Sequence, residues 1–300
     1  MKAAITGARG FVGRHLGAHL RAHDVEVVAL DVDGVEPVDI TDGPALAARV
    51  REIRPQTLYH LAAITHVGDS WADEAAVRRV NVDGTANVLE ACTGAGVARI
   101  VVVGSAEEYG RVDGAGAPLR ETAPLHPISP YARSKVAAEE LALAAARDGR
   151  LEVLCVRAFN HTGPGQSPKF LVPGLARRIV AAERSGADDI VVGNLDPIRD
   201  YTDVRDVVRA YRLLAEQGEP GQVYNVCSGR GVSVADVAHG LLALAERPLR
   251  LTVDPALVRA VDVPVLVGDA SRLRAATGWA PTIALEQTLA DVLDAARATS

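Results

Sequence analysis

Hydrophobic positions in the first half of the chain follow two alternating patterns. Short runs at Lys2–Thr6, Val25–Leu30, Thr57–Leu61, Arg99–Gly104 and Leu151–Arg157 carry Val, Ile, Leu and Ala at consecutive positions. Such runs predict strands buried on both faces. Between them, Phe11–Ala22, Pro44–Ile53, Ala75–Thr93 and Pro130–Arg147 repeat apolar residues every three to four positions in Ala-rich sequence, which predicts helices. Strands separated by helices in this way predict an α/β fold built on a doubly wound parallel sheet, with right-handed crossovers.

Beyond about residue 160 the pattern changes. Gly- and Pro-rich loops at 162–168, 193–197 and 218–221 separate helices from short strands. Thr202-Asp203 suits a helix cap, and Val204, Val207, Val208 and Tyr211 then fall on one face. The expected organisation is a first domain over residues 1–160 and a smaller α/β region over 161–300, partly interleaved with it.

Composition narrows the picture. Aromatic residues make up 4% of the chain, so aliphatic side chains must build the core. A net charge of −6 without a long Lys/Arg run argues against nucleic acid as the main partner. Small anions stay open, because local fields differ from the total. No run approaches the ~20 apolar residues needed to span a bilayer, and the apolar N-terminal stretch is too short for a signal peptide. Cys92, Cys155 and Cys227 are widely spaced in apolar segments, which suits neither a metal site nor a disulfide framework. Buried inert thiols in a reducing cytoplasm are the expectation.

Thr6-Gly7-Ala8-Arg9-Gly10-Phe11-Val12-Gly13 joins the first strand to the first helix. Glycines there let the backbone approach a pyrophosphate, and the helix N-terminus faces its charge. The Gly-x-x-Gly-x-x-Gly spacing alone also fits a structural turn; its place between strand and helix points to a Rossmann-type dinucleotide site. Asp31 ends the second strand, 18 residues after Gly13. A carboxylate there can bind both adenosine ribose hydroxyls and repel a 2′-phosphate. Residues 32–36 offer no Lys or Arg, so NAD(H) is favoured over NADP(H). The competing reading of Asp31 is a solvated strand-end acid.

Tyr131 and Lys135 share one face at the start of a predicted helix. An ammonium beside a phenol lowers the phenol pKa, and such a tyrosine exchanges a proton as hydride moves at a neighbouring carbon. Ser105 follows the fourth strand, where ligands bind in parallel sheets, and its hydroxyl can meet the reacting oxygen. Taken singly, a Tyr-x-x-x-Lys pair is often packing and a lone serine is often a turn residue.

Together with His60-Leu61-Ala62-Ala63, Asn81-Val82-Asp83-Gly84-Thr85 and Ser129-Pro130-Tyr131, these segments resemble the extended short-chain dehydrogenase/reductase superfamily of nucleotide-sugar enzymes over essentially the whole chain. The resemblance implies a catalytic Ser105, Tyr131 and Lys135. It implies that Leu61, Ala62 and Ala63 line the dinucleotide site, that Asp39 and Ile40 contact adenine, and that Asn81 supports the lysine. It also implies a sugar nucleotide held by the second half and a homodimer through two long helices from each copy, residues about 75–95 and 130–147.

Phe159-Asn160-His161-Thr162-Gly163-Pro164-Gly165-Gln166, Arg199-Asp200-Tyr201-Thr202-Asp203-Val204-Arg205-Asp206 and Val263-Pro264-Val265-Leu266-Val267-Gly268-Asp269 resemble the GDP-6-deoxy-4-keto-mannose reductases. That likeness implies Asn160, Arg199 and Arg259 near a diphosphate, Asp262 near a ribose, and Thr65, Ser105 and Glu107 beside the sugar. Arg suits the diphosphate because its fork pairs with phosphate oxygens and stays charged. Dehydratases of the superfamily carry Thr-Asp-Glu or Thr-Ser-Glu where this chain has Ser105-Ala106-Glu107, and fucose synthases carry cysteine at the Glu107 position. The chain keeps the glutamate and lacks the preceding acid or hydroxyl. The reading is reduction of a 4-keto-6-deoxyhexose, GDP-4-keto-6-deoxy-D-mannose to GDP-D-rhamnose. Dehydration or 4-epimerisation with retained NAD, or a non-catalytic dinucleotide sensor, stand as alternatives, and Glu107 is read equally as a solvated loop acid.

Overall fold

The computed structural model describes residues 1–34, 36–111, 118–257 and 263–299. Five strands, β1 (Lys2–Thr6), β2 (Glu26–Leu30), β3 (Thr57–His60), β4 (Arg99–Ser105) and β5 (Glu152–Ala158), fall within two residues of the runs read from the sequence. All pair in parallel, in the order β2-β1-β3-β4-β5. Helices α1 (Phe11–Arg21), α2 (Gly43–Ile53), α3 (Glu74–Arg78), α4 (Gly84–Ala95) and α5 (Pro130–Arg147) connect them. The sheet is the doubly wound α/β architecture the alternation predicts.

The span 75–93, expected as one helix, is broken. A π-helical turn at Arg79–Asp83 separates α3 from α4. The wider turn aims the buried Asn81 inward, where its amide accepts from the Ile64 N–H at 2.8 Å and donates to the Ile64 carbonyl and the Ser134 hydroxyl. Such bulges commonly sit beside functional sites.

The second half adds β6 (Asn160–Thr162), α6 (Leu171–Ser185), β7 (Asp189–Val192), β8 (Ile198–Asp203), α7 (Val204–Gln217), β9 (Val223–Val226), β10 (Gly231–Ser233) and α8 (Val234–Leu242). It ends with β11 (Arg250–Val253), β12 (Val265–Leu266), α9 (Ser271–Thr277) and α10 (Leu285–Thr299). Strand β9 pairs with β5 and completes the first sheet, so the chain returns into its N-terminal half. Helix α7 likewise packs on that sheet beside α1; its buried Val207, Tyr211 and Leu214 join Leu16 and Leu20 in one core. On the opposite face Leu46, Val50, Val88, Leu89 and Ala142 from α2, α4 and α5 form another. A third core joins α6, α8 and α10. Cys92, Cys155 and Cys227 are free and buried. Among the described residues no helix is long and apolar enough to cross a membrane.

Asp206, in the first turn of α7, fastens the C-terminal segment to this frame. Its carboxylate accepts from the Thr282 and Ile283 backbone N–H groups, the Thr282 hydroxyl and Arg209 at 2.6–2.9 Å. The Trp279 indole donates to the Asp206 carbonyl at 3.0 Å. Burial raises the carboxyl pKa, but these bonds outweigh it and hold the group below its usual value. Asp206→Ala is expected to cost on the order of 3 kcal/mol in urea unfolding at neutral pH. Because the folded pKa is depressed, the contribution is present above the unfolded value of about 3.9 and fades as pH falls through the lower folded value. An unchanged urea midpoint would refute the assignment.

Candidate active site

The carboxyl ends of β1 to β5 open into one cleft of about 1090 Å³, above the ~300–1,000 Å³ of a typical single-ligand pocket. Gly7, Gly10, Phe11, Val12 and Gly13 form its floor. Gly7 turns the chain at φ +67°, a left-handed value that favours glycine. At Gly13 a Cβ would lie 2.3 Å from the Gly7 carbonyl, so only hydrogen fits. Gly10 caps α1 with no side chain, and the first turn holds no acid. Asp42, Ser129, Asp203 and Ser233 by contrast cap α2, α5, α7 and α8. Helix α1 thus presents bare N–H groups to the cleft, which fits a dinucleotide diphosphate.

Asp31 sits half-buried at the end of β2 and accepts from the Arg9 backbone N–H at 2.8 Å. Residues 32–36 carry no cation, but the fold brings one from the glycine loop: the Arg9 guanidinium lies across Gly34, 3.0 Å from where a Cβ would stand. Asp39 and Ile40 line the same end of the cleft. The Asp39 carboxylate holds the Thr41 N–H and hydroxyl, both at 2.8 Å. Leu61, Ala62 and Ala63 form the facing wall, the first two held by N–H bonds to the Thr6 hydroxyl.

Ser129 caps α5 by accepting from the Ala132 N–H, with Pro130 in the first turn. Tyr131 and Lys135 follow one turn apart, both lining the cleft and both under 10% exposed. Ser105 ends β4, accepts the Glu107 N–H at 3.2 Å, and its hydroxyl is close enough to the Tyr131 phenol to act on its pKa. Ser105, Tyr131 and Lys135 therefore converge.

The electrostatics correct one expectation. The Tyr131 pKa is raised, not lowered: burial dominates, Glu107 and Glu108 add to it, and the Ser105 hydroxyl offsets only part. Lys135 does not counter this, because its ammonium donates to the Val103 carbonyl at 2.6 Å. Burial lowers Lys135 to about 8, with Glu108 opposing. Asn81 supports the helix that carries the lysine: it holds Ser134, whose hydroxyl donates to the Tyr131 carbonyl at 2.7 Å.

Thr65, Glu107, Asn160 and Arg199 line the substrate side. Glu107 is half-buried and close enough to Tyr131 to raise its pKa, which is not the setting of a solvated loop acid. Arg199 is buried on β8 and donates to the Ile198 carbonyl at 2.9 Å. Arg259 and Asp262 lie outside the described residues. Lys169 and Arg178, not singled out from the sequence, join Arg199 on this wall and give an acidic protein a locally cationic cleft. Nothing in their local sequence separates them from solvated surface cations. A second omission had a signal: Arg157 is a charge inside an otherwise apolar strand, and it pairs with Glu139 at 2.6 and 2.9 Å behind the site.

Comparison with known proteins accords with this geometry. The NAD dependent epimerase/dehydratase family matches residues 3–227. GDP-6-deoxy-D-mannose reductase of Pseudomonas aeruginosa is 36% identical over 291 residues, covering 96% of this chain and 95% of its own. The structure of RMD from Pseudomonas aeruginosa complexed with NADPH superposes with TM-score 0.91 at 34% identity, covering 100% of this chain and 99% of the other. Thermus thermophilus UDP-glucose 4-epimerase, complexed with NAD, superposes with TM-score 0.90 at 28% identity and full coverage of both chains. The chain belongs to the NAD dependent epimerase/dehydratase family, whose members are NAD(P)-dependent enzymes.

Proposed function

We propose that this protein is a 4-ketoreductase that converts GDP-4-keto-6-deoxy-D-mannose to GDP-D-rhamnose. The observation that carries the reading is the placement of a buried, protonated Tyr131 with Ser105 in the same cleft as the bare α1 terminus. Reduction needs a proton donor, and a phenol held neutral by burial is one. Ala106, buried beside Ser105, can neither give nor take a proton, which disfavours the dehydratase arrangement. The likeness to GDP-6-deoxy-D-mannose reductase supports the substrate class.

In this mechanism Gly7, Gly10, Gly13 and the α1 N–H groups would hold the cofactor diphosphate, while Asp31 would hold the adenosine ribose. When bound there, a reduced nicotinamide would supply the hydride for C4. Ser105 donates a hydrogen bond to the substrate oxygen, Tyr131 transfers its hydroxyl proton to that oxygen, and Lys135 holds positive charge behind the resulting phenolate. Arg199, with Lys169 and Arg178, balances the substrate diphosphate, a role also assigned to Arg259. Thr65, Glu107 and Asn160 orient the sugar nucleotide, and Asp262 meets its ribose. The half-buried Glu107 is the one observation favouring the second reading, a dehydratase or epimerase that retains NAD.

Asp31 and Asp33 favour NAD(H), against the pull of Arg9 toward a 2′-phosphate. Relatives bind either form, NADPH in one solved structure and NAD in another. The reading extends to a homodimer through α4 and α5 of each copy, where Leu141 is 37% exposed on the outer face of α5. Sedimentation at twice the mass of one chain is expected, and a monomer at micromolar concentration would refute it.

Wild-type protein should oxidise NADH stoichiometrically with the 4-keto sugar and not with GDP-mannose; turnover of GDP-mannose without net NADH oxidation would favour the second reading. Tyr131→Phe should lower kcat about 10²–10⁴-fold and leave the cofactor Kd unchanged. Asp31→Ser should raise the NADPH-to-NADH ratio of kcat/KM by about tenfold or more, equivalent to about 1.4 kcal/mol. An unchanged ratio would remove Asp31 from cofactor choice.

A further inference from the structure

Behind the catalytic groups lies a buried polar cluster centred on Arg157, which the mechanism above does not use. Arg157 stands on β5 directly across from Gly104 of β4, one register position before Ser105. Its Nε and Nη2 donate to the two carboxylate oxygens of Glu139 at 2.9 and 2.6 Å. Its Nη1 donates to the Glu121 carbonyl at 3.0 Å, and the guanidinium lies 4.9 Å over the Tyr109 ring. Nε also stands 3.4 Å from Oε2 of Glu108, an oxygen with no hydrogen-bond partner of its own.

Two of these partners lead to catalytic groups. Glu139 lies on α5, one turn beyond Lys135 and two beyond Tyr131, so the two-bond pair fixes that helix on β5. Glu108 lies in the single turn after β4, has no solvent exposure, and its Oε1 accepts the Ser105 backbone N–H at 2.7 Å. Gly104 leaves the room this needs: a Cβ there would come within 2.4 Å of Oε1. The Ser105 bond does not depend on the charge of Glu108, because a carboxyl oxygen accepts from an N–H with or without a proton on the group. A guanidinium suits the junction, since its planar fork holds both oxygens of one carboxylate in fixed geometry while its edge faces a second.

Resting on the ketoreductase reading, we propose that Arg157 is a positioning residue acting through Ser105: it ties the turn that holds the Ser105 amide to the helix that carries Tyr131. The Ser105 hydroxyl and the Tyr131 phenol must meet one substrate oxygen, yet they come from different elements, and neither β4 nor α5 sets their separation alone. Arg157 joins the two from the strand that lies beside both. Catalytic groups lose much of their effect when displaced by as little as about 1 Å, so a loosened clamp slows the chemical step without weakening binding.

Gly-Ser occurs once in the chain, at Gly104-Ser105. Protein made cell-free with carbonyl-¹³C glycine and ¹⁵N serine therefore gives one carbonyl-linked amide signal, that of Ser105. Arg157→Lys keeps the charge and loses the fork. In it the Ser105 amide proton should move upfield as its bond to Glu108 lengthens. Its kcat should fall about 10- to 100-fold, with substrate KM and cofactor Kd unchanged. In a Ser105→Ala background the same substitution should lower kcat less than about threefold, because the group it places is gone. Should Arg157→Lys not fold, Glu139→Gln, which keeps one accepting oxygen for Arg157, carries the same comparison. An arginine with a purely structural role costs the same factor in both backgrounds and leaves the Ser105 signal in place; either result overturns the proposal. A wild type that reduces no keto sugar, with the Ser105 signal still moved by Arg157→Lys, overturns the ketoreductase reading and leaves the clamp intact.

Discussion

The cleft depends on how closely α1 approaches the end of β1. A helix that starts this near a strand must have no side chain at Gly13, where any Cβ would strike the Gly7 carbonyl, and a left-handed turn at Gly7. With those met, the first-turn N–H groups stay without a side-chain cap and face the point where all five N-terminal strands end. The positive end of the α1 dipole then opens on the cleft that Asp31, Ser105 and Tyr131 also line. The substrate side inherits its position from the same edge, because β6 leaves β5 there and pairs with β8, which carries Arg199.

Burial, more than pairing, sets protonation in this site. Tyr131, Lys135, His60 and Glu108 are each pushed toward their neutral forms, and burial is the largest cause for all four. For a group that must donate a proton to a forming alkoxide, a neutral phenol is the useful state. The same desolvation lowers the Lys135 pKa, so charge on that lysine is costly to keep in the site.

Within the second half of the chain, buried carboxylates tie distant segments together. Asp206 gathers the 279–283 segment onto α7, and Asp200 gathers the Ser228, Gly229 and Gly268 N–H groups beside Arg199. Asp200 adjoins Arg199 on β8, so that cation rests on a strand already held by several hydrogen bonds.

The amino-acid sequence determined the parallel sheet, because strands buried on both faces have an apolar pattern that nothing else in a chain of this composition shares. It also determined the glycine loop and the Tyr131–Lys135 pair, since both are local: their geometry follows from a turn and a helical period within a few residues. Tertiary structure decided the rest. Arg9 reaches Gly34 across 25 positions of chain. Lys169 and Arg178 join Arg199 only because α6 folds back over the cleft, and Glu139 meets Arg157 only because α5 packs on β5. The direction of the Tyr131 shift belongs with these. A lysine one turn away says what attraction is available, whereas the depth of burial and the carbonyl of Val103 decide whether it is spent on the phenol, and both are set by elements far apart in sequence.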